Sequence, residues 1–149
     1  MRAVVQRVGW AEVEVDGEVV GRIGKGLLVY VGVGVGDGPE DADWLAGKLA
    51  GLRVFTDEEG KLNLSVKDVN GSVLAISNFT LLADARKGRR PAFSAAAAAG
   101  QAEPLHEAFL AALRRQGVNV QTGVFGAKMA IRSQADGPVN IIVDSPGSR

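Results

Sequence analysis

Cysteine is absent from the 149 residues, and histidine occurs once. The first absence excludes disulfides, thiolate nucleophiles and cysteine metal ligands, and fits a reducing compartment. The single histidine, His106, follows an apolar position of a helical stretch, with no H-E-x-x-H or histidine–carboxylate spacing around it. It reads as a surface or half-buried helical residue, so neither a metal cage nor a histidine base is expected, and no cofactor. Net charge is missing too: seventeen basic residues balance seventeen acidic ones. A neutral protein gains no long-range steering toward a polyanion, so any nucleic acid must be held by a local patch and specific contacts. Long apolar runs are also lacking. The longest, Gly26 to Val35, is about ten residues and rich in glycine, half of what spans a bilayer. Arg7 interrupts the apolar start before it could serve as a signal peptide. The sequence therefore predicts a cytoplasmic protein without membrane association.

Nucleotide loops are excluded by spacing. Gly32, Gly34 and Gly36 miss the G-x-G-x-x-G pattern because Asp37 stands at its third glycine. Lys25 and Lys128 are followed by Gly26 and Met129 rather than by a hydroxyl residue, so no phosphate loop is present. The acidic pairs Asp41/Asp43 and Glu58/Glu59 fall in a helix start and a turn, where they serve capping and solubility. Without thiol, histidine base or metal, the more demanding hydrolysis of an amide or phosphodiester is not expected. An activated ester remains within reach, because backbone N–H groups aimed at a developing oxyanion supply several kcal/mol, about 2.7–4 per donor.

The residues that are present read as one α+β domain over 1–149: a curled, largely antiparallel, barrel-like sheet with two main helices. Ala3–Val8, Ala11–Val15 and Val19–Ile23 alternate as strands, and Asp16-Gly17 is a strong hairpin signal. Leu27–Val35 is continuously apolar and β-branched, a strand buried on both faces, whose glycines leave room for a close neighbour. After Asp37-Gly38-Pro39, Leu45, Leu49 and Leu52 form one helical stripe. A second helix is predicted from Pro104, with Leu105, Phe109, Ala112 and Leu113 on one face, until Gly117. Arg53–Thr56, Ser72–Leu82, Val120–Thr122, Ala127–Ser133 and Val139–Val143 complete the strands. Asp136-Gly137-Pro138 reads as a turn, Ser94–Ala99 suits either helix or ordered loop, and residues 145–149 read as a frayed tail.

Three stretches carry candidate chemistry. Ser77-Asn78-Phe79-Thr80-Leu81 ends an apolar strand in hydrogen-bonding side chains interleaved with a ring. Asp136-Gly137-Pro138-Val139-Asn140 is the second. Arg86, Lys87, Arg89 and Arg90 form the only dense basic cluster; by itself such a run is most often a solvated loop.

With Val5-Gln6-Arg7-Val8, Gly24 to Val33, Gly60-Lys61-Leu62-Asn63-Leu64, Gly71-Ser72-Val73-Leu74, Arg90-Pro91-Ala92-Phe93 and Gln121-Thr122-Gly123 leading to Phe125 and Met129, these stretches resemble the D-aminoacyl-tRNA deacylase family from end to end. The resemblance implies hydrolysis of the ester of D-aminoacyl-tRNA, and of glycine mischarged on tRNA-Ala, by a tight twofold homodimer with its sites at the interface. Its motif S-Q-x-x-L falls on Ser77, Asn78 and Leu81, and its cis Gly-Pro pair on Gly137-Pro138. That pair would enter the partner's pocket and exclude L substrates, with Arg7 fixing its orientation. Catalysis would rest on Ser77, Asn78, Phe79 and Thr80, with oxyanion donors near Phe79 and Thr80 and the terminal 2′-hydroxyl of the tRNA assisting. Thr80 has a hydroxyl but no evident base. Phe125, Met129 and Asn140 would complete the substrate pocket, and the basic cluster would hold tRNA. Two departures stand out: Asn78 replaces the usual Gln, and Asn140 a usual Thr. Ser77 and Phe79 argue against the related subgroup whose Gly-Pro is trans and which removes L-alanine from a mismatched tRNA. A non-catalytic nucleic-acid-binding module and an ester hydrolase of relaxed stereospecificity remain alternatives.

Overall fold

In the computed structural model, which describes residues 1–147, the first two expected strands are one. β1 runs without interruption from Arg2 to Val15. Asp16 and Gly17 both take positive φ, 51° and 81°, and turn the chain into β2 (Glu18–Ile23), the hairpin that the Asp-Gly pair signals. β3 (Gly26–Gly32) then returns along the same edge of β1. Residues Arg2–Val8 of β1 pair with β3 and Ala11–Val15 pair with β2, both antiparallel.

β3 continues the sheet in the other sense, through parallel pairing with β6 (Ser72–Ser77) and of β6 with β7 (Asn119–Thr122). The sheet is thus mixed: antiparallel around β1 and parallel beyond β3. It curls until β2 reaches β7, where a Cβ added to Gly21 would stand 2.7 Å from the Thr122 carbonyl oxygen. The last strand, β8 (Ala130–Asp144), covers the opposite edge of β1 over its whole length. A two-stranded ribbon, β4 (Phe55–Thr56) with β5 (Leu62–Leu64), stands apart.

Helix α1 (Pro39–Gly51) begins at its proline and buries Leu45 and Leu49 against the sheet, while Leu52 ends it. Helix α2 (Ala99–Arg115) starts five residues earlier than expected, so Pro104 lies inside it. Ala99, Gln101, Ala102 and Glu103 supply the propensity for the added residues. The carbonyl that Pro104 leaves without its helical donor belongs to Gly100, which is exposed to water. Upstream, Ala95–Ala97 form loop rather than helix, pinned to the end of β3 by Val35 N–H to Ala95 O (2.9 Å) and Ala97 N–H to Val33 O (2.9 Å).

The two faces of the sheet carry two cores. Leu27, Val29 and Val31 of β3 with Val73 and Ala75 of β6 face the helices; Leu28, Leu74 and Ile76 face the interior of the curl with Val8, Ala11, Val13 and Ile23. β3 is therefore buried on both sides, as its unbroken apolar run predicts. One charged contact joins this core. The amino group of Met1 lies 2.7 Å from Asp37, with both side chains buried, and donates to Ser145 Oγ at 2.6 Å. Asp37 also accepts the Gly34 N–H at 2.6 Å. Ser145, assigned to a frayed tail by its composition, is instead buried, and its N–H bonds Met1 O; residues 148 and 149 of that tail lie outside the described residues.

Removing the charge of one partner of a buried ion pair leaves the other's charge less well compensated. Asp37→Asn should therefore cost about 3 kcal/mol or more, read as a drop in thermal midpoint of roughly 10 °C. A midpoint within two or three degrees of the parent protein's would show the pair to be dispensable.

Candidate active site

Strands β3 and β6 end side by side, Val31 opposite Ser77, and the chain turns there. Asn78 N–H still follows the ladder, bonding Val31 O at 2.8 Å, after which Phe79–Leu82 wind into a short 3₁₀ turn. The expected strand Ser72–Leu82 thus stops at Ser77. Its end is local: the Asn78 side chain accepts from Thr80 N–H at 3.1 Å, capping the turn, and Thr80 Oγ1 donates to the same oxygen. Gly32 permits the arrangement, since a Cβ there would collide with the Leu82 side chain and press on Asn78 O.

A cavity of about 490 Å³ opens over this turn. Ser77, Asn78 and Phe79 form one wall; Phe125 and Met129 another. Five site residues inferred from sequence are thereby brought together. The remaining lining includes Tyr30, Val33, Ile76 and Ile131, which the sequence reading absorbed into strands, and Ala102, which it left outside any element. Period-two alternation could have found two of them: Tyr30 and Ile76 are ladder partners and must share a face. The walls are mostly apolar, with polar side chains at the strand end and on Tyr30. Burial raises the Tyr30 phenol above its ordinary value, so its hydroxyl is neutral at pH 7.

Thr80 is exposed, and its hydroxyl proton goes to an amide oxygen, which is no base. Its N–H is committed to Asn78 as well. Phe79 N–H, first donor of the turn, has no hydrogen bond among the described residues.

Gly137 and Pro138 do not line this cavity. They are not a hairpin turn either, because the strands on both sides pair with β1. Gln6 faces Asn140 and Val8 faces Ala135, so residues 136–139 loop out of a single long strand. The Gly137-Pro138 bond is cis, and both residues are exposed. Gly137 has φ +146°, and a Cβ there would strike Val139 N. Arg7 holds this bulge: Nε donates to Asp136 O at 3.0 Å and lies 3.3 Å from its carboxylate, while Nη1 bonds Val54 O at 2.9 Å and Thr56 Oγ1 at 3.3 Å.

The basic cluster occupies a loop closed by two 2.8 Å bonds between Asp84 and Ala92. Arg86 is drawn back onto Asp84 (2.6 Å), whose carboxylate its guanidinium holds far below the usual range. Lys87, Arg89 and Arg90 are exposed, and no ion pair to them is found among the described residues.

His106 is not a surface residue. It is 3 % exposed on α2, among Phe109 and Phe125, with no hydrogen-bond partner for Nδ1 among the described residues. Burial pushes its pKa down to about 4. Among the described residues no group of three or more His, Asp or Glu is placed to hold a metal ion, and no helix is long and apolar enough to cross a membrane.

The D-Tyr-tRNA(Tyr) deacylase family profile matches residues 4–144. The D-aminoacyl-tRNA deacylase of Thermus aquaticus is 56% identical over the full length of both chains. That of Thermotoga petrophila is 54% identical over 97% of each. A solved structure titled c-Myc DNA Unwinding Element Binding Protein superposes with a TM-score of 0.91 at 41% identity, covering 98% of this chain and 99% of that one. A probable eukaryotic D-amino acid tRNA deacylase shares the fold at TM-score 0.82 and 20% identity. The chain is an enzyme of the hydrolase class. It belongs to the D-aminoacyl-tRNA deacylase family.

The unfolded chain protonates His106 near its ordinary 6.5, the folded one only near 4. Stability from the neutral, buried ring is therefore complete above pH 6.5 and declines as pH falls toward 4, by about 2 kcal/mol at pH 5. Urea unfolding across that window should show this decline in the parent protein and a flatter profile in His106→Leu; parallel profiles would reject it.

Proposed function

We propose that this enzyme hydrolyses the ester joining a D-amino acid to the terminal ribose of a tRNA, and reads chirality by exclusion. The observation that carries the reading is the apolar cavity over the Ser77-Asn78-Phe79 strand end. Water adds to the ester carbonyl, and the carbonyl oxygen becomes an oxyanion that accepts from Phe79 N–H. Collapse expels the ribose oxygen, which takes up the proton lost by the water, giving free amino acid and tRNA. The neighbouring 2′-hydroxyl assists this proton movement, so no side-chain base is required. That division of labour agrees with a site where Thr80 is tied to Asn78 and His106 is neutral and enclosed.

Two copies of the chain complete the site. β8 is an edge strand, largely exposed, with Ile142 68 % accessible, and its looped-out Gly137-Pro138 is exposed and outside its own cavity lining. Entering the partner's cavity, the main-chain oxygens of this pair surround the substrate's α-carbon and leave no room for a side chain of L configuration. Arg7 keeps the pair aimed; Asn140 anchors the bulge at its far end through its ladder position opposite Gln6. Glycine, which has no side chain to exclude, passes the same filter, so glycyl-tRNA mischarged on tRNA-Ala is a second substrate. The reaction belongs to the cytoplasm, where tRNA is charged. Lys87, Arg89 and Arg90, with Arg86 partly neutralised, meet the acceptor-stem phosphates.

Purified protein should release D-tyrosine from D-tyrosyl-tRNA at least a hundredfold faster than L-tyrosine from the L ester. Gly137→Ala, which forces a side chain into positive φ, should lower the D rate tenfold or more. Equal rates on both enantiomers would instead support an ester hydrolase of relaxed stereospecificity, and binding without release a nucleic-acid-binding module. Reversing charge at Arg89 and Arg90 should weaken tRNA binding and reduce the slope of log affinity against log salt by about two; an unchanged slope removes the cluster from the interface.

A further inference from the structure

Phe79 and Phe93 are two of the largest apolar side chains left open to solvent, 55 % and 38 % exposed. They touch each other: their ring centroids are 5.1 Å apart at an interplanar angle of 65°. An edge-to-face pair covers one ring's edge and leaves aromatic face uncovered. Phe79 also belongs to the cavity wall, so the pair extends that wall outward to the surface. The chain between the two rings carries the basic loop, whose Asp84–Ala92 closure places Ala92, and hence Phe93, at the loop's base.

We propose that Phe79 and Phe93 form a stacking platform for the unpaired nucleobase immediately upstream of the esterified terminal nucleoside. The inference rests on the deacylase reading above and names a subsite for it. The terminal nucleoside carries its ester into the cavity, so the next base along the strand emerges at the mouth, where Phe79 stands. Its phosphate then lies on the side of Lys87, Arg89 and Arg90, the charges that Asp84 does not draw back. Exposed rings beside a positive loop are what single-stranded nucleic acid recognises: stacking holds the bases without reading them, and cations hold the backbone. A protein partner would gain the same apolar area but has no need of the charge beside it. The platform tolerates any base, so it anchors the strand without selecting among tRNAs.

The test uses uncharged tRNA bearing pyrrolocytosine at the penultimate position, together with D-tyrosyl-tRNA kinetics. The parent protein should quench the pyrrolocytosine on binding. Phe93→Leu, which keeps apolar volume but removes the ring, should abolish the quench and raise KM for D-tyrosyl-tRNA about tenfold with kcat within twofold; Phe93→Tyr should restore both. Circular dichroism of Phe93→Leu identifies misfolding, in which case Phe93→Met serves as the ring-less variant. A parent protein that deacylates the D ester but leaves the probe unquenched, or a Phe93→Leu variant that quenches normally, overturns the platform alone. A parent protein that quenches but releases no D-tyrosine overturns the deacylase reading instead.

Discussion

A single strand, β1, pairs with three others along its two edges, and the geometry of the molecule follows from that arrangement. On one edge β3 and β2 succeed one another; on the other β8 runs the full length. Because β3 leads into the parallel half of the sheet, β1 connects the strands that end at the cavity to the strand that carries Gly137-Pro138. Arg7 lies on β1 itself and reaches both the bulge and the Val54–Thr56 segment. Backbone pairing thus sets the coarse distance between the two motifs, and one guanidinium bonds both the bulge and the segment beside it.

The site is spare in titratable groups and generous in main chain. Its polar wall is a strand end whose side chains satisfy one another: Asn78 receives both the N–H and the hydroxyl of Thr80. Such a wall is preorganised, because the donors and acceptors that shape it have already been matched before substrate arrives. His106 packs against Phe109 and against the cavity residue Phe125, and burial lowers its pKa to about 4.

Much of this was legible in the residues, for identifiable reasons. Asp16-Gly17 specified its hairpin because few other pairs accept positive φ twice, and the unbroken apolar run of β3 specified double-sided burial. The errors share a cause as well. Asp136-Gly137-Pro138 carries turn chemistry, yet whether such a segment reverses the chain or bulges from it is decided by which strand lies alongside, and that is non-local. Pro104 was read as a boundary, although the carbonyl it deprives belongs to an exposed glycine. His106 was read as surface or half-buried because one polar residue beside an apolar stripe gives no sign that Phe125 will close over it. Of the cavity, the polar strand end was visible through its abrupt change in composition, whereas Tyr30 and Ile131 were indistinguishable from core.

The excursion of residues 136–139 is tethered by ladder pairs at Ala135 and Asn140. Adding or deleting a residue between those tethers would change how far the tip projects while every flanking partner kept its place. Reach is therefore separable from register, and such a segment can be lengthened, shortened or re-angled by descent without the rest of the molecule having to be rebuilt around it.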